Sequence, residues 1–413
     1  MPTWLLPEYI EDILPAEALR IEAMRRQIMD RLLLHGYQPV VPPLLEYVES
    51  LLSGITSDLA AVSGQPSRVA SSSISGGDMD LRMFKVVDQL SGRMMGLRAD
   101  MTPQAARIDA HLLNRKGVTR LCYAGSVLHT LPSGLTRTRE PLQIGAELYG
   151  HAGLESDLEI QRLMLQALAI AGIGKVHLDL GHVAVFRGLV KGAGISAGLE
   201  KELFGAMQTK DASALKELCT GFGKRVDKRI DKKVHQSLML LPELYGDKKV
   251  LARARKSLPD FPEIRTALDE LEAVAAELKP AVNTLAFDLA DLRGYHYHSG
   301  MVFAAYTRGC PNAVALGGRY DEVGKAFGRA RPATGFSMDL RELAGLMKPE
   351  PYPQGILAPY KKGDKGLEKK IEQLRNQGRI VVVELPGHKD SPEACDCDSK
   401  LVLRGGKWEV AKI

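Results

Sequence analysis

The stretch 126–150, SVLHTLPSGLTRTREPLQIGAELYG, decides how the chain is read. TRLCYAGSVLH (119–129) and PLQIGAELYG (141–150) mix apolar residues with small and polar ones, as strands of a sheet do. Between them, TLPSGLTRTRE (130–140) has the proline, glycine, hydroxyl and charged residues of a connection. The expected unit is two antiparallel strands around a polar loop. Its second strand holds Gln143 and Glu147 among apolar neighbours. Burying such a group without a partner costs roughly 2–7 kcal/mol, so these two side chains need something to face.

Outward from the hairpin, helical and extended segments come in blocks. AEALRIEAMRRQIMDRLLLH (16–35) repeats Leu19, Ala23, Ile28, Leu32 and Leu33 at helical spacing and is stopped by Gly36. GYQPVVPPLLEYVESLLSG (36–54) follows as a short extended segment broken by Pro39, Pro42 and Pro43, after which Leu44–Leu52 can turn helical. SGQPSRVASSSISGGD (63–78), poor in large apolar residues, is expected to be a mobile loop. MDLRMFKVVDQLSGRMMGLRADMT (79–102) suggests two strands turning at Ser91 and Gly92. PQAARIDAHLLNR (103–115) is a helix with Pro103 at its first position and Thr102 placed to cap it. Downstream come a helix in DLEIQRLMLQALAIAGI (157–173), a strand in KVHLDLGH (175–182), helical periodicity over about 185–278, strands over 285–306 and a last helix after GFSMDL (335–340).

This order predicts an α+β domain over residues 1–347, an antiparallel sheet flanked by helices with a helical insertion at about 185–280. KPEPYPQG (348–355), with its three prolines, marks a boundary. Residues 348–413 are then a small α/β domain of strand, helix, strand and a hairpin turning at Gly405 and Gly406.

Composition narrows the class of function. With 413 residues, 45% of them hydrophobic, the chain exceeds the size at which single cores stop growing, so two domains are expected. A net charge of +5 is too dilute over this length to demand nucleic acid. In GKRVDKRIDKKVH (223–235) Asp227 and Asp231 interrupt the basic run, which fits a solvated helix face. The cysteines, Cys122, Cys219, Cys310, Cys395 and Cys397, are odd in number and too few for a disulfide framework, which suits free thiols in a reducing cytoplasm. Glu8, Glu11 and Asp12 stand where an export signal needs a basic and then an apolar run, and no stretch has the ~18 apolar residues of a membrane span.

Several motifs carry little. GGRYDEVG (317–324) lacks the Lys and Ser or Thr of a phosphate-binding loop. Cys395 and Cys397 have no second ligand pair nearby, so no metal site is expected. His129, His296 and His298 lack an obvious Ser or Cys nucleophile and suit packing or hydrogen-bonding roles. More informative are LRADMT (97–102), LQIGAELYG (142–150), LRGYHYHSG (292–300) and ALGGRYDEVG with PATGFSMDL (315–324, 332–340), each placing polar side chains among strand-forming ones. Asp100, Gln143, Glu147 and Arg293 in one sheet suggest a lined pocket.

At these stretches, in order over roughly the first 345 residues, the sequence resembles histidyl-tRNA synthetase of the class II aminoacyl-tRNA synthetases. GYQPVVPPLLE resembles the dimer-forming first class motif, RADMT the Arg-Pro-Glu-Gly-Thr segment, and QIGAE the Gln-Leu-Gly-x-Glu strand. RGYHYHSG resembles the histidine-specific Arg-Gly-Leu-Asp-Tyr-Tyr stretch. The resemblance implies the class II sheet and a histidine pocket. In it Asp100 would receive the α-ammonium beside Thr102, and Gln143 and Glu147 would face the substrate. Arg293 would meet the carboxylate side, and Tyr295 and Tyr297 would wall the imidazole, with His298 in place of the second tyrosine.

The nucleotide end departs from that pattern. VLHTLP (127–132) puts His129 where the family has the arginine that holds the α-phosphate, and Leu131 where it has a glutamate. GFSMDLRELAGL puts Glu342 in place of the adenine-stacking arginine, with Arg341 one residue early and so about 100° around a helix. Asp339 replaces a glycine and Pro141 an aromatic residue, while Arg137 and Arg139 survive on the loop. Losing one fixed donor of this kind typically costs about 10²–10³ in rate, so adenylation should be lost.

The C-terminal segment is also shorter than the anticodon-reading domain of the synthetases. LRADMTPQAARI and PATGFSMDL look closer to the synthetase-like regulatory subunits of ATP phosphoribosyltransferase, which some bacteria pair with a short catalytic subunit for the first step of histidine biosynthesis. That resemblance implies a non-catalytic chain without cofactor, in a hetero-oligomer with short-form ATP phosphoribosyltransferase, self-associating as a dimer and mediating feedback inhibition by histidine. It argues against tRNA as a partner. The alternative is a divergent histidyl-tRNA synthetase that activates histidine with ATP.

Overall fold

A computed structural model describes residues 5–52, 82–132, 137–225, 232–295, 297–348, 352–387 and 395–413. The expected loop at 63–78, the centre of the basic run at 223–235 and His296 lie outside them. Contacts group Met1–Asp12 with Arg20–Met347 in one unit, and Ile13–Leu19 with Lys348–Ile413 in another.

The larger unit is built on nine strands: β1 (Gln38–Pro39), β5 (Thr119–Ser126), β6 (Leu142–Tyr149), β7 (His177–His182), β8 (Tyr245–Gly246), β9 (Thr284–Asp288), β10 (Met301–Tyr306), β11 (Ala315–Arg319) and β12 (Ala333–Asp339). They lie in the order β1-β5-β6-β12-β11-β10-β7-β9-β8. Every neighbouring pair is antiparallel except β1 with β5 and β7 with β9. The hairpin from which the fold was read is β5 and β6, and β12 closes β6 on its other side. A separate small sheet has β2 (Leu45–Tyr47), β3 (Lys85–Val87) and β4 (Met94–Leu97). Its β3–β4 turn is held by the Asp88 carboxylate, which accepts from the Leu90 and Ser91 amides at 3.1 Å, and by Gly92 at φ +71°.

Helix α1 (Pro15–Leu34) buries Ile21, Met24, Ile28 and Leu32, a stripe at 3.6-residue spacing, and leaves Leu19 and Leu33 exposed. It stops at Gly36, whose φ of +82° is open to glycine at no steric cost. Helix α2 (Thr102–Arg107) runs into a wider π-helical turn, Ile108–Leu113, and ends at left-handed Asn114. Thr102 does not cap it. Met101 occupies the cap position, and the Asp100 carboxylate accepts from the Thr102 amide at 3.0 Å, leaving the Thr102 hydroxyl for another partner. Helix α3 (Leu154–Ile170) packs against β6, β11 and β12. It is fixed to β11 by a buried pair, Asp157 with Arg319, at 2.7 Å.

The insertion comprises α4 (Val183–Gly192), α5 (Ala197–Gln208), α6 (Ala212–Arg225), α7 (Lys232–Leu240), α8 (Lys249–Ser257) and α9 (Pro262–Leu278), with α9 against α4 and β7. The extended pattern expected over 285–306 splits into β9 and β10, with turns at 289–300 between them. Side chains compete with the ladder there: Asp288 and Asp291 accept from the Ala290 and Arg293 amides at 3.0 and 3.1 Å, and Gly294 takes φ +62°.

The smaller unit has β13 (Gly355–Ala358), α11 (Lys365–Asn376), β14 (Val381–Val383), β15 (Cys397–Arg404) and β16 (Lys407–Lys412), in the sheet order β14-β13-β15-β16. Its core gathers Ile356, Ala358, Leu367, Ile371, Leu374, Val381 and Leu401. Asp364 caps α11 through the Leu367 amide at 2.9 Å, and Gly405 and Gly406 at φ +52° and +77° make the two-residue turn of its hairpin.

Candidate functional site

Strand β6 alternates, so Gln143, Gly145, Glu147 and Tyr149 share one face. Asp100 and Thr102 reach that face from the turn between β4 and α2. The Gln143 carboxamide is fixed at both ends: it donates to Asp100 Oδ1 at 2.8 Å and accepts from the Met101 amide at 2.9 Å. The Thr102 hydroxyl lies 3.0 Å from the Tyr123 hydroxyl, which donates to Glu147 Oε1 at 2.8 Å. Tyr320 donates to Glu147 Oε2, and its oxygen is 3.3 Å from that of Tyr149. Glu147 is 1% exposed, yet both its oxygens are satisfied by phenols.

Two glycines make room for this cluster. Gly335 pairs with Glu147 across β12, and a Cβ there would run into the Glu147 carboxylate. Gly145 pairs with Tyr123, and a Cβ there would come within 2.6 Å of both the Tyr123 hydroxyl and the Phe336 carbonyl. Burial pushes the Glu147 carboxyl up to about 8. The phenol hydrogen bonds oppose that shift and the nearby Asp100 charge reinforces it. A cationic ligand beside it would oppose that shift and favour the ionised form, which accepts from both phenols.

The loop 291–300 presents Tyr297 to the cluster. Its ring lies 4.9 Å from that of Tyr320, and its hydroxyl is buried without a hydrogen-bond partner among the described residues. Asp100, Thr102, Gln143, Glu147 and Tyr297 thus come together. Arg293 and Tyr295 are placed differently. Arg293 forms a two-pronged pair with Asp291, Nε to Oδ1 at 2.9 Å and Nη2 to Oδ2 at 2.5 Å, and donates to the Tyr306 hydroxyl at 3.1 Å. Tyr295 turns to the helical insertion, where its hydroxyl donates to Glu200 at 2.7 Å. In a turn containing a left-handed glycine, residues two apart need not share a side as they would in a strand. His298 is half-buried and held neutral, its pKa lowered to about 4 by desolvation, with Nδ1 3.1 Å from the Arg293 carbonyl.

At the other end of the hairpin, His129 is 9% exposed and its Nε2 lies 2.9 Å from the Ala99 carbonyl. Burial lowers its pKa, so the neutral ring donates from Nε2 and is left with a buried lone pair on Nδ1. Leu131 is 70% exposed. The surviving arginines are engaged within the fold. Arg137 pairs with Glu342, Nη2 to Oε2 at 2.8 Å, and donates to the Ala313 carbonyl at 2.7 Å. Arg139 donates to the His129 carbonyl at 3.1 Å and covers the Phe84 ring. Arg341 reaches the Glu140 and Glu11 carbonyls at 3.4 and 3.2 Å. Asp339 caps α10 (Leu340–Leu346), accepting from the Arg341 and Leu142 amides at 3.0 and 3.1 Å, and burial pushes it up to about 6.

Sequence reasoning missed Tyr123 and Tyr320, the two donors to Glu147. Tyr320 stood in the quoted GGRYD, and Tyr123 in the first strand of the opening hairpin, two residues out of register with Glu147. Among the described residues no helix is long and apolar enough to cross a membrane, and no group of three or more His, Cys, Asp or Glu side chains is placed to hold a metal ion.

Residues 9–63 and 68–343 match the family model for histidyl-tRNA synthetase, and residues 353–411 match that for the ATP phosphoribosyltransferase subunit HisZ C-terminal domain. An ATP phosphoribosyltransferase regulatory subunit of Nitrosospira multiformis is 70% identical over 100% of this chain and 98% of its own length. One of Ralstonia nicotianae is 54% identical over 99% of this chain and 98% of its own length. Among solved structures, an ATP phosphoribosyltransferase regulatory subunit/histidyl-tRNA synthetase from Bacillus halodurans superposes with a TM-score of 0.75 at 25% identity, over 94% of this chain and 95% of that one. Histidyl-tRNA synthetase from Nostoc, at 17% identity and a TM-score of 0.72 over 100% of this chain and 97% of that one, shares the fold. The synthetase-like sheet, the smaller C-terminal unit and relatives matched end to end lead to one assignment: the chain belongs to the family of ATP phosphoribosyltransferase regulatory subunits.

Proposed function

We propose that this chain is the non-catalytic partner of a short-form ATP phosphoribosyltransferase in the first step of histidine biosynthesis, and that free histidine occupies its pocket and inhibits the assembly. The observation that carries this is the convergence of Asp100, Thr102, Gln143, Glu147 and Tyr297, together with arginines at the other end of the hairpin that are engaged within the fold. Asp100, oriented by Gln143 and the Thr102 amide, offers a carboxylate to the α-ammonium. Glu147, with Tyr123 and Tyr320, takes the polar edge of the imidazole, and the buried Tyr297 hydroxyl offers a further polar contact. Arg293 serves the carboxylate side once a ligand competes with Asp291.

Adenylation needs fixed cations on the developing phosphate charge. Here Arg137 is paired with Glu342, and His129 is neutral and donates to the Ala99 carbonyl. Self-association as a dimer and the absence of tRNA reading belong to the same proposal. Inhibition follows by linkage: histidine binds one quaternary state better, and a coupling of roughly 1–3 kcal/mol suffices.

The test is to purify the chain with a short-form ATP phosphoribosyltransferase and assay phosphoribosyl transfer with and without histidine. Transfer should require this chain and fall when histidine is added. Histidine-dependent pyrophosphate exchange by the purified chain at synthetase-like rates would instead establish the divergent synthetase.

A further inference from the structure

Tyr295 and Tyr297 lie two residues apart in the loop at 291–300 and face different elements. Tyr297 packs on Tyr320, which donates to Glu147. Tyr295 is 2% exposed and sits between two aromatic rings of the helical insertion: Phe186 of α4, edge-on at 5.3 Å, and Phe204 of α5, stacked at 5.3 Å with 27° between the planes. Its hydroxyl donates to Glu200 of α5 at 2.7 Å. Arg187 of α4 grips the same loop, with Nη2 3.2 Å from the carbonyls of both Tyr295 and His298. The Tyr297 and His298 amides both donate to the Gly294 carbonyl at 2.7 Å, and Gly294 has φ +62°. The loop thus meets Glu147 through Tyr320 and Tyr297 on one side and the insertion through Tyr295 on the other.

We infer that α4 and α5 are the element that senses occupancy of the amino-acid pocket, with Arg187 and Glu200 as positioning residues acting through the loop at 291–300. This rests on the proposal that histidine binds that pocket. A ligand that contacts Tyr297, or draws Arg293 away from Asp291, displaces a loop whose far side is clamped. A short turn held at both faces cannot absorb that displacement alone, so it passes to the clamp. Glu200 is the sharpest probe, because it touches the loop at one hydroxyl and lies on the opposite side of the turn from the pocket.

The experiment uses the intact complex with the short-form catalytic subunit. Hydrogen exchange of peptides covering 183–208 is measured with and without histidine, alongside calorimetric titration of histidine. In the wild type, histidine should slow exchange of the 197–208 amides by at least ~5-fold. Glu200→Ala should bind histidine within ~3-fold of wild type but lose that protection, and Glu200→Gln, whose amide oxygen still accepts from the phenol, should restore it. Tyr295→Phe keeps the rings and deletes the same hydrogen bond, so it serves if Glu200→Ala fails to fold. Full protection in both Glu200→Ala and Tyr295→Phe overturns the inference, as does histidine binding without protection in the wild type. Failure of the wild type to bind histidine overturns the pocket assignment and the relay with it.

Discussion

The two ends of the β5–β6 hairpin pair their polar groups in different ways. At one end, the side chains of Glu147 and Tyr123 fill the space beside Gly335 and Gly145, and Glu147 is held by Tyr123 and Tyr320. At the other end the polar groups pair with one another: Glu342 binds Arg137 of the hairpin loop, and Asp339 caps a helix.

Replacing Glu147 should have the largest effect. Glu147→Ala leaves two buried phenols without an acceptor at about 1–3 kcal/mol each. It should lower stability by about 2–5 kcal/mol and histidine affinity more than ~100-fold, read by urea unfolding and calorimetry. Unchanged affinity would erase the contrast between the ends. Arg137→Ala attacks the other end. It strands Glu342 in a mostly buried site, and a loss of about 2–3 kcal/mol is expected, less than for a fully buried pair. Histidine affinity should stay within ~3-fold, because the pair lies outside the pocket.

Acidity separates the ends as well. The Glu147 carboxyl is raised from an ordinary 4.5 to about 8 in the fold, so the folded state holds its proton more tightly than the unfolded chain does. Its contribution to stability is full below pH ~4.5 and is lost as pH rises toward about 8. Glu147→Gln, which cannot ionise, should therefore gain on the wild type across that window, by on the order of 1–4 kcal/mol in unfolding measurements at successive pH values. Binding of cationic histidine should release a proton near pH 7, visible as a dependence of calorimetric heat on buffer ionisation enthalpy. Leu131→Glu, restoring the synthetase residue type at an exposed site, should change stability by less than ~0.5 kcal/mol and leave pyrophosphate exchange absent.

Much of this was legible in the chain. The hairpin strands, the turn at Ser91 and Gly92 and the Gly405–Gly406 turn follow from local rules of spacing and backbone freedom, and each is found. Asp100, Gln143 and Glu147 were recognisable because a polar group among strand-forming residues must be partnered. Tyr123 and Tyr320 were not: a tyrosine in a strand is ordinary, and only the neighbouring strand shows that its hydroxyl meets a buried carboxylate. Thr102 does not cap its helix: Met101 takes the cap position, the Asp100 carboxylate accepts from the Thr102 amide, and the Thr102 hydroxyl meets that of Tyr123.

The sequence by itself determined the order of helices and strands, the two polar positions on β6, and the residue types at 129 and 342. These depend on residue type and on the fixed periods of helix and strand, which act over a few residues. The tertiary structure alone decided where the displaced charges went. Arg137 meets Glu342 across 205 residues of sequence, and Tyr295 and Tyr297, two apart, face Glu200 and Tyr320. Such pairings are set by the register of distant strands and by the path of one turn, and no local period encodes either.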